Sequence, residues 1–200
     1  MGVAPLLFFA LLELGLRLAG FGRPATFFLR ASFEGKPAIV ENQDFSQIFF
    51  PPGLERHPLP CRFDAKKTPG TTRVFIFGES AAMGDPAPAF GLGRALEMLL
   101  RERYPETPFE FVNVSMTAIN SHVLLPIARE CAAKEGDLWV IYMGNNEVVG
   151  PFGAGTVFGA KTPPMAAIRA SIALKSSRTG QWLSGALAKL RAGGAPTEWG

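Results

Sequence analysis

The fold of this 200-residue chain is decided by the stretch Arg73-Val74-Phe75-Ile76-Phe77-Gly78-Glu79-Ser80. A run of apolar and β-branched residues that ends in Gly, an acid and Ser is typical of a strand buried on both faces of a parallel sheet. A Ser placed just after such a strand is expected where open α/β sheets bind ligands. If a helix begins there, its first N–H groups can stabilise a negatively charged oxygen. The stretch therefore predicts a nucleophile together with part of its electrostatic support.

Two later segments repeat this arrangement, residues 109–115 and residues 137–143. Each is an apolar run followed by small polar residues, and the second continues into Gly144-Asn145-Asn146-Glu147. Between the runs, apolar residues recur at helical spacing over residues 92–100 and 123–132. Strands that alternate with helices across short connections predict an α/β fold with a parallel sheet and right-handed crossovers. The three polar clusters are then expected at one edge of the sheet, where the strands end.

The first two clusters resemble sequence blocks of the SGNH (GDSL-type) hydrolases, a family named for four blocks that carry Ser, Gly, Asn and His. Gly78-Glu79-Ser80 is similar to the first block, with Glu79 where the family usually has Asp. The resemblance implies that Ser80 is the nucleophile. The second block matches residues 113–118, and the family's oxyanion-hole Gly falls on Ala118. The backbone N–H is retained there, although Ala tolerates positive φ less well than Gly.

The third cluster is similar to the family's third block, G-x-N-D, with Glu147 in place of the Asp. The resemblance implies that Asn146 supplies an oxyanion-hole amide, and it makes Asn145, Glu147 and Glu79 additional candidates for the site. The fourth block, Asp-x-x-His, is absent, because neither Asp nor His follows Glu147. His122 is a candidate substitute base, since it comes just after the second block. The alternative for His122 is a helix histidine that lines a pocket.

The resemblance covers about residues 72–153 and implies a three-layer α/β/α fold with a flavodoxin-like parallel sheet, incomplete at its C-terminal end. It also implies an esterase or acetylesterase that uses Ser80 without a metal or cofactor and acts on an O-acylated small molecule or polysaccharide. Without the fourth block, the chain alone is expected to be inactive. Two alternatives stay open: a non-catalytic SGNH-fold module for binding or scaffolding, and a flavodoxin-like nucleotide or phosphate binder that uses residues 78–85.

Composition argues against some other functions. The net charge of +3 is small, and no basic run exceeds Lys66-Lys67, so a nucleic-acid partner is not expected. A hydrophobic fraction of 48% in 200 residues is enough for one substantial core. Cys61 and Cys131 form no zinc or C-x-x-C pattern. Cys131 is expected to be a core thiol, and a disulfide between the two is left open.

Residues 1–22 are mostly Leu, Phe and Ala, and they predict a membrane anchor or signal-anchor helix. Glu13 and Arg17 stand four residues apart, so they can pair along a helix. The alternative is an amphipathic helix packed on the domain. The chain also resembles, more narrowly, bacterial membrane-anchored SGNH proteins with C-terminal tetratricopeptide repeats, through residues 79–86 and 142–147. That resemblance implies an extracytoplasmic, periplasmic-face location, whereas the arginines after the apolar run favour a cytoplasmic domain under the positive-inside rule.

The remaining segments are assigned from turn residues and periodicity. Residues 23–70 are expected to form an extended segment that wraps around the domain, because Pro and Gly interrupt every period. The hydrolase-like domain is expected over residues 71–192, with two helices near residues 165–174 and 182–190. Residues 193–200 are expected to be a truncated tail, after which the sequence continues.

Overall fold

The structure is a computed structural model that describes residues 3–192, with side chains described for residues 3–187. The expected tail at residues 193–200 lies outside the described residues. The chain forms two compact units: Thr26–Pro163, which contains the sheets, and Met1–Ala25 with Pro164–Gly200, which is helical where it is described. The sequence-based boundary at residue 71 stays a prediction. In the structure the segment before residue 71 and the three-stranded parallel sheet belong to the same unit.

The larger unit is an α/β arrangement built around the central strand β4, Thr72–Gly78. Strand β5, Phe109–Asn113, and strand β6, Leu138–Tyr142, pair with β4 on either side, and all three strands are parallel. The apolar side chains of β4 are almost fully buried, as expected for a strand covered on both faces: Val74, Phe75, Ile76 and Phe77. The α/β class and the parallel sheet predicted from the sequence are therefore confirmed.

Three helices connect these strands. The short helix α2, Ser80–Met83, and the longer α3, Leu92–Arg103, lie between β4 and β5. Helix α4, Ser121–Cys131, lies between β5 and β6 and buries its apolar face: Val123, Leu124, Ile127 and Cys131. Both long helices fall where the apolar periodicity predicted them. The connections therefore place the residues that follow each strand at the same edge of the sheet.

The segment before β4 forms a second sheet, which the sequence analysis described only as extended chain. Strands β1, Phe28–Phe33, and β2, Lys36–Glu41, form a hairpin, and β3, Arg62–Asp64, pairs antiparallel with β2. The two-residue turn at Glu34 and Gly35 has positive φ at both positions, which matches the twist of a tight hairpin. Phe33 of this segment is exposed, whereas its other phenylalanines are buried: Phe27, Phe28, Phe45, Phe49, Phe50 and Phe63.

Two charged side chains, one in β4 and one in α4, join this antiparallel sheet to the rest of the larger unit. Arg73, at the start of β4, is fully buried and donates to the Glu110 carboxylate, to Lys134 O and to Asp64 O. At the start of β1, the Glu130 carboxylate at the end of α4 accepts the backbone N–H groups of Phe27 (2.7 Å) and Phe28 (3.0 Å). Buried charges need such partners, because leaving them unpaired is costly. These contacts make the N-terminal segment an integral part of the larger unit.

The helical unit contains α1, Val3–Leu18, α5, Met165–Ser176, and α6, Arg178–Ala192. Helices α5 and α6 cover the regions where the sequence predicted two helices. The carboxylate of Glu13, in α1, accepts the backbone N–H groups of Arg178 (3.1 Å) and Thr179 (2.8 Å) at the start of α6. Among the described helices, none combines the length and the apolar character needed to cross a bilayer.

Candidate active site

The three polar clusters meet at the C-terminal edge of the parallel sheet, as the sequence predicts. In the strand register, Ile76 is opposite Asn113 and Gly78 is opposite Tyr142, so the three strands end at nearly the same level. The pairing continues beyond β5, because Val114 N donates to Ile76 O (2.9 Å) and Met116 N donates to Gly78 O (3.2 Å). The turn after β5 therefore runs directly beside the end of β4, where Ser80 follows.

Ser80 is presented by a tight change of direction from strand to helix. Gly78 ends β4 with φ of 158°, and a Cβ at this position would lie 2.0 Å from Tyr142 O and 2.5 Å from Ala82 Cβ. Only Gly allows such a close approach of β4, β6 and α2. Ser80 is then the first residue of α2. Gly84 ends that helix in the left-handed conformation, and its N–H donates a hydrogen bond to Ser80 O (2.8 Å). This geometry leaves the Ser80 side chain half-buried at the sheet edge.

Glu79 ties the first cluster to the third. Its side chain is only 1% exposed, and its carboxylate accepts three consecutive backbone N–H groups: Gly144 (3.2 Å), Asn145 (3.0 Å) and Asn146 (3.1 Å). Three N–H groups aimed at one carboxylate form an anion-binding concavity, here filled by the protein's own side chain. Glu79, which the sequence offers as an additional candidate for the site, therefore fixes the position of the loop that carries Asn146.

Ala118 adopts the backbone conformation that a Gly would favour. Its φ is 59°, in the left-handed region, and the residue is half-buried beside the first cluster's strand. Non-Gly residues adopt this conformation at a cost of about 1–2 kcal/mol, so the surrounding turn must hold it in place. Among the described residues, none accepts a hydrogen bond from the N–H of Ala118. The turn thus presents a free backbone N–H donor at this position.

The side chains of Ser80 and Asn146 are also without partners within residues 3–192. No hydrogen bond of the Ser80 hydroxyl or of the Asn146 side-chain amide is found there, and both residues are half-buried rather than enclosed. Their polar groups are therefore open to solvent. A hydroxyl, free N–H groups and a side-chain amide at one sheet edge can take up a carbonyl group that becomes an oxyanion.

Glu147 and His122 have structural partners of their own. The Glu147 carboxylate accepts the backbone N–H and the hydroxyl of Ser121, both at 2.8 Å, and so caps the N-terminal end of α4. His122 is half-buried and its ring lies edge-on to Phe152, with the ring centroids 5.7 Å apart. Within the described part of the chain, no hydrogen bond joins His122 to Ser80. The structure therefore brings Glu79 into the site as a support, while Glu147 positions the second cluster's helix.

Asn120 is a residue of this region that the sequence analysis did not single out. It is fully buried, its side-chain amide donates to Pro151 O (2.8 Å), and its enclosed side-chain oxygen has no hydrogen-bond partner among the residues that the structure describes. Gly150 packs against it, since a Cβ there would lie 3.0 Å from Asn120 Nδ2. Asn120 stands at the N-cap position of α4, yet it holds the loop after the third cluster instead of capping the helix. An Asn before a helix normally indicates a cap, so the sequence carried no signal for this contact.

Across residues 3–192, no three side chains of His, Cys, Asp or Glu are grouped so as to bind a metal ion. Cys61 and Cys131 are both free thiols. Comparison of the chain with protein-family models, with curated proteins and with solved structures gives no match.

Proposed function

We propose that this protein is an SGNH-type serine ester hydrolase, with the flavodoxin-like three-layer fold of that family. The observation that carries the proposal is the contact between Glu79 and the backbone of residues 144–146, because it couples the predicted nucleophile to the predicted oxyanion-hole amide. The left-handed conformation of Ala118, where the family has Gly, supports the same assignment. The substrate class proposed from the resemblance is an O-acylated small molecule or polysaccharide.

In the proposed reaction, Ser80 Oγ attacks the carbonyl carbon of an ester while a general base takes the hydroxyl proton. The negative charge that develops on the carbonyl oxygen is stabilised by the N–H groups of Ser80 and Ala118 and by the Asn146 amide. One such donor is typically worth about 2.7–4 kcal/mol. The base returns its proton to the leaving alcohol, and water then hydrolyses the acyl-enzyme.

The general base is proposed to be a histidine that is either His122 or part of an Asp-x-x-His block absent from the present sequence. The sequence has two histidines. The other one, His57, lies in the N-terminal segment, where its Nδ1 is 3.1 Å from Gln43 O. We propose membrane attachment through the N-terminal helix and an extracytoplasmic location from the same family resemblance.

A fluorophosphonate probe tests the nucleophile, with imidazole added to supply a base. We expect imidazole to accelerate formation of one covalent adduct, located on Ser80 by peptide mass spectrometry. Ser80→Ala should remove the adduct, while the matched variant Ser32→Ala, at an exposed position of β1, should keep it. An intact chain that gains no adduct on Ser80, with or without imidazole, would remove the esterase proposal.

A non-catalytic binding module is the second candidate. It is favoured by one observation: among the described residues, no side chain donates to or accepts from the Ser80 hydroxyl, and the nearby carboxylates of Glu79 and Glu147 are already occupied by backbone donors. Under this proposal the free N–H groups bind a ligand carbonyl or carboxylate without reaction. The absence of labelling at Ser80, combined with a thermal shift from an O-acetylated oligosaccharide, would support it.

A further inference from the structure

The helical unit has little hydrophobic core of its own. Within its described side chains, residues 3–25 and 164–187, Ile168 is the one apolar residue in the buried core. Helix α1 has no buried residue, and its exposed apolar side chains include large ones on several sides of the helix: Leu6, Leu7, Phe8, Phe9, Leu11, Leu14 and Leu18. Contiguous exposed apolar surface of this kind indicates a surface that another phase or molecule covers.

The excess of positive charge in the chain lies in the same unit. Residues 1–25 and 164–200 contain seven Lys or Arg and two Asp or Glu, out of 20 and 17 in the whole chain. Their net charge is therefore +5, whereas the larger unit, with the remaining 13 basic and 15 acidic residues, carries −2. Apolar surface combined with an excess of Lys and Arg is the pattern of segments that bind anionic lipid surfaces. The charge separation argues against a neutral or cationic partner.

Glu13 is an acidic residue in this otherwise basic unit, and its contacts connect two of the helices. It is the single acidic residue among the described residues of the unit, and Arg17 neutralises it through an ion pair of 2.8 Å. Its carboxylate also accepts the two N–H groups at the start of α6 and the hydroxyl of Thr179 (2.9 Å). All of its acceptor capacity is used inside the unit, so it presents no free negative charge. The contact also joins α1 to α6, which makes the helices one binding element.

Helices α5 and α6 add apolar surface and positive charge to that element. In α6, Trp182, Leu183 and Leu187 are exposed, and their spacing places them on one side of the helix. Trp182 is 46% exposed, and an indole with one apolar and one polar edge is well suited to a lipid–water interface. In α5, Arg169 is exposed, as is Arg23 in the chain that follows α1.

We propose that α1, α5 and α6 together bind the surface of a bilayer that contains anionic lipids, with α6 in contact with the lipid. This deepens the proposed membrane attachment, on which it rests, and is independent of the proposed catalysis. The apolar side chains of these helices contact the acyl-chain boundary of the bilayer, and the exposed Arg23 and Arg169 contact the headgroup phosphates. Under this proposal α5 and α6, which follow the parallel sheet in the sequence, belong to the membrane-binding element together with α1.

Vesicle flotation tests the charge preference with the full 200-residue chain. We expect tenfold or stronger binding to vesicles with 30% phosphatidylglycerol in phosphatidylcholine than to phosphatidylcholine alone, and a marked loss of that preference in 0.5 M salt. The double variant Arg23→Glu, Arg169→Glu should lose most of the preference. A matched double variant in the larger unit, Lys36→Glu with Lys66→Glu at exposed positions, should keep it. Equal binding by both variants would overturn the electrostatic part of the proposal.

Tryptophan fluorescence tests the role of α6. In a variant whose only tryptophan is Trp182 (Trp139→Phe, Trp199→Phe), anionic vesicles should shift the emission to shorter wavelength, and brominated lipids should quench it. Vesicle binding without either change means that α1 anchors the chain alone, which overturns this inference but keeps the membrane attachment. No vesicle binding, with a concentration-dependent dimer in light scattering, means that a second copy covers the apolar surface and both membrane proposals fail. Neither result affects labelling of Ser80.

Discussion

Replacing Glu79 tests the coupling between the nucleophile and the oxyanion loop. Glu79→Ala removes the acceptor of three backbone N–H groups and leaves a cavity at a side chain that is 1% exposed. A hydrogen bond to a charged group contributes about 1.5–3 kcal/mol to the free energy of unfolding. The loss is smaller for an N–H group that can bind water after the substitution than for one that stays buried without a partner. Gly144 and Asn145 are exposed, so the lower value applies to their N–H groups. With three such bonds, we expect a loss of at least about 4.5 kcal/mol from the free energy of unfolding of the larger unit.

Glu79→Gln separates charge from shape. Oε1 accepts from Gly144 and Asn146, so the Gln carbonyl oxygen can replace it, whereas the Gln NH₂ group would face the N–H of Asn145, which now donates to Oε2. One donor then meets another donor. The expected loss is about 2 kcal/mol, close to half of that for Glu79→Ala.

Urea unfolding and hydrogen exchange measure both effects. We expect the midpoints to fall in the order wild type, Glu79→Gln, Glu79→Ala, and the amides of residues 144–146 to exchange at least about tenfold faster in Glu79→Ala. Glu106→Gln, at an exposed position in the loop before β5, is the matched control and should change neither quantity. If Glu79→Ala unfolds within 0.5 kcal/mol of wild type, or exchange at residues 144–146 is unchanged, the carboxylate does not hold the loop and the reasoning is refuted.

Two further predictions concern the same unit. Ala118→Gly should raise the free energy of unfolding by about 1 kcal/mol, because Gly adopts a φ of 59° without the strain of a Cβ. The control Ala95→Gly, in α3, should lower the free energy of unfolding by a similar amount. Urea unfolding in which both variants change this free energy in the same direction would contradict the prediction. Burial, with the Glu41 carboxylate adding to it, raises the pKa of Cys61 to about 12, and burial also raises the pKa of Cys131. Since the thiolate is the reactive form, iodoacetamide at pH 8 should alkylate both thiols about 100-fold more slowly in native protein than in urea, as followed by mass spectrometry, and similar rates in the two states would contradict the raised pKa values.

The sequence predicts the parallel sheet well because its signals are local. The continuous apolar run before Gly78 indicates a strand that is buried on both faces. The helical periodicities of α3 and α4 lie between such apolar runs, which indicates alternating strands and helices. The positions of Ser80 and Asn146 at one sheet edge follow from that topology.

Other features depend on contacts that no local pattern contains. Glu79 reaches a loop 65 to 67 residues away, and nothing in its neighbourhood distinguishes that contact from a surface carboxylate. The antiparallel sheet was missed because its strands are short and one of them, β2, contains Pro37, which disfavours a strand. The turn at Glu34 and Gly35 was the available signal. The grouping of α6 with α1 depends on Glu13 and Thr179, which lie 166 residues apart.

The bonds from Glu130 to the start of β1 have a consequence for the order in which the chain folds. The two N–H groups that Glu130 accepts belong to residues 102 and 103 positions earlier in the sequence. During synthesis, the N-terminal hairpin leaves the ribosome long before α4 does, at about 5–20 residues per second, so its first strand spends several seconds without these partners. Contacts of such long sequence separation slow folding, because the intervening chain must be closed before they form. The N-terminal hairpin is thus synthesised well before the helix that binds its first strand, and its phenylalanines are the surface that a chaperone would meet in the interval.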